Sequence, residues 1–126
     1  MVQDIDGLLR QAMTIRGAQC ASLIDYTTGL PVDTLGAVLG ISPEATAAGT
    51  AELMHVMLDT AAFASAPGGD ELEDIVVTAS SGYHVFQCVP ARFDSRLVLH
   101  VWLDRHSGNV ALTRRRLKLL VEELVG

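Results

Sequence analysis

Histidine and cysteine are the side chains with which a search for a metal ligand, a nucleophile or a base in this sequence begins. The chain has four histidines and two cysteines. None of the histidines has a second ligand at the spacing usual for zinc, so the pattern predicts no metal site. His84 and His100 could face each other across neighbouring strands if the register allows it; otherwise we interpret the histidines as structural. Cys20 and Cys88 lie in strand-like segments, which favours reduced, buried thiols.

The familiar sequence motifs for catalysis and nucleotide binding are absent from the 126 residues. There is no P-loop, no GxGxxG, no HExxH, no GxSxG and no CxxC pattern. We therefore expect a protein that is not an enzyme and that needs no cofactor. A hydrolase or transferase stays open only if a nucleophile and a base meet in space from distant positions.

Net charge and hydropathy argue against two classes of partner. The formal net charge is −6, whereas nucleic-acid binding needs a concentrated basic surface, so we expect no nucleic-acid partner. No apolar run approaches the ~20 residues that a membrane helix needs, so we expect no membrane insertion. The acidic start of the chain differs from a signal peptide and predicts a cytoplasmic protein.

Two charged clusters each allow two interpretations. The acidic cluster, residues 70–74, precedes a strand-like segment and is either ordinary solvated surface or a charge that discourages edge pairing. The basic cluster, Arg114–Arg116, is either a solvated helix face or a contact for a phosphate or an acidic partner.

Hydrophobic patterning predicts the elements that must position these residues. Runs rich in β-branched and aromatic residues predict five strands, and apolar residues at helical spacing predict three helices. The last strand is apolar at nearly every position, which predicts a sheet covered on both faces. Pro31 cannot donate to a sheet ladder, so the second strand should lie at an edge. The predicted helices are 3–16, 43–66 and from 109 onward, and the predicted strands are 18–25, 30–35, 72–79, 83–89 and 96–103.

The sequence thus predicts an α+β fold over residues 1–126 as a single domain. Its order is helix, strand, strand, helix, strand, strand, strand, helix. Because a hairpin and a three-strand meander connect neighbours directly, the five-stranded sheet should be antiparallel, with helices on both faces.

The second predicted helix carries more apolar surface than one sheet can cover. Its polar residues occupy one narrow stripe, and apolar residues spread over more than half of the circumference. The first half of the helix is built of small residues, which allow a neighbouring helix to approach closely. A second copy of the same helix is the economical partner, so we expect a homodimer.

The order of elements and one hairpin resemble the roadblock / dynein light-chain family, in particular its bacterial GTPase-partner members. The residues that carry the resemblance run from Ile15 to Val32. They comprise Ile15-Arg16-Gly17-Ala18, the strand Ala21-Ser22-Leu23-Ile24-Asp25, and Gly29-Leu30-Pro31-Val32. The loop between Asp25 and Gly29 is longer than in many relatives.

The resemblance implies a non-enzymatic homodimeric scaffold in a bacterial signalling system. Such a protein binds a small Ras-like GTPase, sometimes modulates its GTP hydrolysis, and can act beside a sensor kinase. The implied dimer interface pairs the second helices and joins the sheets through the third strand, at Ala47, Ala51, Met54, Leu58, Ile75 and Val77. Arg92 and Arg96 lie in or beside a loop and are the candidates for an arginine finger, although the family does not require one.

A small-ligand sensor is the alternative function. A sheet flanked by helices can enclose a pocket, and such a module would show a concave apolar cavity with a few convergent polar groups. His84, His100 and Gln87 are the candidates for those polar groups.

Overall fold

A computed structural model describes residues 4–63, 71–90 and 96–125. The helices are α1 (Ile5–Met13), α2 (Pro43–Asp59) and α3 (Val110–Val125), and a short 3-10 turn (Ala61–Phe63) follows α2. The strands are β1 (Ala18–Asp25), β2 (Leu30–Gly36), β3 (Asp74–Ala79), β4 (Gly82–Cys88) and β5 (Leu97–Asp104). The predicted fold class and element order are confirmed.

The five strands form one antiparallel sheet in the order β2-β1-β5-β4-β3. β2 lies at one edge, as Pro31 predicted, and β3 lies at the other. The apolar strand β5 is in the centre, where both of its faces are covered. This central position agrees with the apolar pattern of the strand, which predicted covering on both faces.

Each helix begins where a polar side chain can satisfy its free backbone N–H groups. The Asp4 carboxylate accepts from Gly7 N at 2.7 Å, and the Ser42 hydroxyl accepts from Ala45 N at 3.1 Å. Asn109 Oδ1 accepts from the third residue of α3 in the same way. These are ordinary N-caps, each of which contributes about 1 kcal/mol to helix stability.

The helices cover the two faces of the sheet unequally. α1 and α3 lie together on one face, where the larger core contains Leu23, Val85, Val101 and their neighbours. α2 lies alone on the other face and packs on β1 and β2. The α2 face of β5 and β4 therefore has less covering from the described residues, and it carries the polar residues described below.

Two helix boundaries differ from the sequence-based prediction. α1 spans Ile5–Met13, not residues 3–16, because the chain turns away at Thr14 and enters β1. α2 ends at Asp59, where Thr60 leaves the helical conformation. The part of the predicted second helix beyond Phe63 lies outside the described residues.

Candidate interaction surface and cavity

One face of α2 packs on the sheet through a narrow apolar stripe. Ala47, Thr50, Ala51 and Met54 are buried, at the three- and four-residue spacing of one helix face. Ala47 and Met54 share a core cluster with residues of β1, β4 and β5. This stripe, with the half-buried Leu53 packed against the same cluster, attaches α2 to its own sheet.

The opposite face of α2 is apolar and is only partly covered by the described part of the chain. Ala45, Gly49, Leu53 and Val56 follow one another at helical spacing on this outer face. Leu53 is half-buried, Val56 is 55% exposed, and a Cβ added to Gly49 would meet no atom within 4 Å. Leu58 lies near the end of the helix on the side of the buried stripe, and it is 46% exposed. The structure therefore leaves much of the excess apolar surface of this helix in water.

The six residues assigned to a dimer interface fall into two groups. Three helix residues are buried against the chain's own sheet and have almost no side-chain surface left for a partner: Ala47, Ala51 and Met54. Leu58 and Val77 are exposed and Ile75 is half-buried. The interface stays a prediction, and the burial of Ala47, Ala51 and Met54 leaves Leu58 as its exposed helix residue.

β3 is the free edge on the side of the sheet that α2 leaves open. Its residues Ile75 and Val77 point to the α2 side, opposite Phe86 and His84 of β4. Val77 is 39% exposed. At the start of the strand, Asp74 accepts two hydrogen bonds from Arg114, at 2.7 and 3.2 Å. This ion pair ties β3 to α3 and leaves its outer backbone edge unpaired within the described residues.

A cavity of about 340 Å³ lies on the same sheet face, at the end where α2 begins. Its floor is formed by β1, β4 and β5, and its wall by the segment that joins β2 to α2. The floor presents Cys20, Ser22, His84, His100 and Trp102. The wall is apolar and includes Val38, Ile41 and Pro43. The cavity is therefore apolar in most of its lining, with a few polar groups on one side.

The two histidines of the floor are hydrogen-bonded to each other. His84 Nδ1 and His100 Nε2 are 2.9 Å apart, and the His84 ring lies against Trp102 with centroids 4.3 Å apart. His100 is only 3% exposed, and among the described residues its Nδ1 has no hydrogen-bond partner. Burial lowers the pKa of His84, and burial with the neighbouring His84 lowers the pKa of His100 to about 3. Both rings are therefore neutral at pH 7.

The thiols nearby show no sign of an activated nucleophile. Burial raises the pKa of Cys20. Burial, then the charges of Asp74 and Glu71, raise the pKa of Cys88 to about 11. Both thiols are therefore protonated at pH 7, whereas a nucleophilic cysteine needs a lowered pKa. Within the described residues, no three His, Cys, Asp or Glu side chains are grouped so that they could hold a metal ion.

Several solved structures share this architecture. MglB of Myxococcus xanthus is similar over 98% of this chain and 95% of its own, with 21% identity and a TM-score of 0.77. A roadblock/LC7 domain from Streptomyces avermitilis is similar over 96% of this chain and 94% of its own, with 18% identity and a TM-score of 0.71. The chain has the roadblock/LC7 fold.

A third structure with this fold extends the comparison. The gliding protein MglB from Thermus thermophilus is similar over 92% of this chain and 87% of its own, with 18% identity and a TM-score of 0.65. No protein-family model matches the sequence. No curated protein matches it either. The resemblance drawn from the hairpin is confirmed by the three-dimensional fold.

The structure brings two of the candidate site residues from the sequence analysis together and places the others elsewhere. His84 and His100 meet at the cavity, but Gln87 donates to Glu73 O and Cys88 O and lies away from it. Arg92 lies outside the described residues, and Arg96 is exposed beside β5. Trp102, which the sequence analysis did not select, lines the cavity because it is two residues after His100 on β5 and so lies on the same face of the sheet.

The basic cluster of α3 is mostly engaged with the chain itself. Arg114 pairs with Asp74, and Arg116 donates to Gln11 Oε1 at 3.0 Å. These contacts favour the interpretation of a solvated helix face that also links α3 to its neighbours. As for membranes, none of the helices in the described part of the chain is long and apolar enough to span one.

Proposed function

We propose that this chain is a non-enzymatic regulatory scaffold that works as a homodimer and binds a small Ras-like GTPase. The observation that carries the proposal is the apolar outer face of α2, with Gly49 and Val56 at its centre and the half-buried Leu53 at its border. In this proposal residues 1–126 act as one domain, and the dimer forms the surface that the GTPase recognises.

The outer face of α2 has the properties of a helix–helix contact. Ala45 and Gly49 are small and exposed, so a second helix can approach the backbone there. Leu53 and Val56 lie one and two turns beyond Gly49 and can pack beside it. Covering exposed apolar surface is favourable by roughly 25 cal/mol per Å². A second copy of α2, related by a two-fold axis, would cover both faces at once.

The β3 edge supports the same assembly. An unpaired edge strand offers a row of backbone N–H and C=O groups for pairing with another strand. β3 lies at the sheet edge next to the half-open α2 face, with Val77 exposed on that face. Pairing of β3 with its copy would extend the sheet and bring the two α2 helices over one continuous surface.

The partner class rests on likeness rather than on a site in this chain. The fold neighbours include MglB proteins and one described as MglB with tetrameric arrangement. The family resemblance of the sequence implies a small Ras-like GTPase as the partner. The protonated thiols and the absence of a metal-binding group in the described residues are compatible with a binding role.

Light scattering on two matched variants tests the dimer. Val56→Asp places a carboxylate on the outer face of α2, and Leu112→Asp places one at a residue that is 66% exposed on α3. We expect the wild type and Leu112→Asp to have twice the chain mass at tens of micromolar. Val56→Asp should dissociate at least about 100-fold more readily, because an unpaired buried charge costs about 3 kcal/mol or more. A monomeric wild type, or an unchanged Val56→Asp dimer, would contradict the interface.

Titration with a small Ras-like GTPase tests the partner. The GTPase is loaded with GDP or with a non-hydrolysable GTP analogue, and binding to the wild type is measured by calorimetry. We expect binding in at least one nucleotide state, and weaker binding to Val56→Asp if the dimer forms the recognised surface. Absence of binding in both states would refute the GTPase assignment while leaving the dimer result intact.

A further inference from the structure

The cavity beside α2 is separate from the outer face of α2, and it meets the proposed β3 edge only at Ala79, the last residue of that strand. It lies between the sheet and the segment joining β2 to α2, whereas the outer face of α2 points away from the sheet. Its volume of about 340 Å³ falls in the range in which proteins hold small ligands. Its lining combines apolar walls with a convergent set of polar groups, which is the usual composition of such sites.

The hydrogen bond between the two histidines indicates which of their ring nitrogens carry protons. Two neutral imidazoles carry two N–H groups, and one of them lies in the bond between His84 Nδ1 and His100 Nε2. If His84 donated that bond, His100 would carry its proton on Nδ1, which is buried without a partner among the described residues. A buried N–H without a partner is rarer than a buried acceptor without one. The favoured arrangement is therefore that His100 donates and His84 keeps a proton on Nε2.

His84 is placed to offer that N–H to a bound molecule. Its ring is half-buried and lines the cavity together with Trp102. Nδ1 is occupied by His100, and among the described residues Nε2 has no hydrogen-bond partner. The site therefore presents one imidazole donor beside an indole ring, against an apolar wall.

We propose that this cavity binds a small, uncharged, mostly apolar molecule that carries a hydrogen-bond acceptor oxygen, with His84 as the donor. The neutral side chains of the floor and the net charge of −6 both disfavour an anionic ligand. Trp102 and the wall residues Val38 and Ile41 contact the apolar part of the molecule. Binding does not require the dimer, so the two proposals fail independently.

Two probes of nearly equal shape test the site. Acetophenone carries an acceptor oxygen, and ethylbenzene does not. The chain has a single tryptophan, so the indole N–H cross-peak of ¹⁵N-labelled protein reports on Trp102 alone. We expect both probes to shift this peak, with acetophenone binding about three- to ten-fold more tightly, as one hydrogen bond of ordinary strength would give. His84→Phe should keep the ring and remove the difference between the probes.

Variants that fill the cavity test whether the probes bind there. Cys20→Met fills the cavity from the floor, and Ala79→Leu fills it from the β3 side, so at least one folded variant should be obtained. Each should weaken both probes by about ten-fold or more, while its circular dichroism stays like that of the wild type. No shift of the Trp102 peak with either probe, equal affinity for the two probes, or unchanged binding in a folded blocking variant would each overturn the proposal.

Discussion

The burial of His100 makes the stability of this fold depend on pH in a predictable direction. In the folded chain burial and the neighbouring His84 lower its pKa to about 3, whereas an unfolded histidine titrates near its ordinary value of 6.5. Below pH 6.5 the unfolded chain therefore binds a proton that the folded chain does not. The contribution of neutral His100 to the free energy of unfolding is therefore fully present above that pH. It is lost progressively as the pH falls toward about 3.

The size of the effect follows from the two pKa values. One pKa unit corresponds to about 1.4 kcal/mol, so lowering the pH from 7 to 5 should remove about 2 kcal/mol from the free energy of unfolding. His84, whose pKa burial also lowers, adds to the loss in the same direction. Asp25 and Asp104 affect stability in a lower pH range. Hydrogen bonds hold their pKa values below the ordinary 3.8, so their contribution to the free energy of unfolding is lost only as the pH falls through that range.

Urea unfolding at pH 7 and pH 5, followed by circular dichroism at one fixed protein concentration, measures this loss. We expect the wild type to lose about 2 kcal/mol and His100→Gln to lose clearly less, whatever its stability at pH 7. His106→Gln, which changes an exposed turn residue, should behave like the wild type. An equal loss in the wild type and His100→Gln would refute the assignment to His100.

Three further predictions concern two glycines and one helix cap, and thermal unfolding checks them. Gly36→Ala should destabilise the chain by more than about 1 kcal/mol, because φ is +76° and a Cβ would collide with Gln19 O; a melting temperature equal to that of the wild type would contradict this. Gly49→Ala, compared in the monomeric Val56→Asp background, should instead stabilise α2 by about 0.5–1 kcal/mol, since its Cβ meets open space in the single chain, and a lower melting temperature there would count against an uncovered outer face. Ser42→Ala removes the cap on Ala45 N and should cost about 1 kcal/mol, whereas no change would show that water replaces it.

The fold could be predicted from the sequence because its signals are local. β-branched and aromatic runs mark β3, β4 and β5, and a proline marks the edge strand β2. The unbroken apolar pattern of β5 required covering on both faces, and that requirement sets the three layers. Helix ends were less certain, because Thr14 and Thr60 end their helices without glycine or proline at those positions.

The cavity could not be predicted because it depends on strand register. A shift of one residue moves every side chain to the other face of the sheet. In the structure His84 lies opposite Trp102 and His100 opposite Phe86, so the two histidines meet across a diagonal. The sequence could name His84 and His100 as a pair, but it offered no reason to add Trp102 or Cys20, which come from two different strands.

The second helix shows most clearly what periodicity leaves undetermined. Its apolar residues cover more than half of the circumference, so the sequence cannot say which part meets the sheet. Val56 lies half a turn away from Ala47 at about 100° per residue, and the structure buries Ala47 and exposes Val56. A charge at Met54, which is buried against its own sheet, would therefore unfold the chain and report nothing about a dimer. Because Val56 is 55% exposed, we expect a charge there to be tolerated by the folded monomer, so that this variant tests the partner contact.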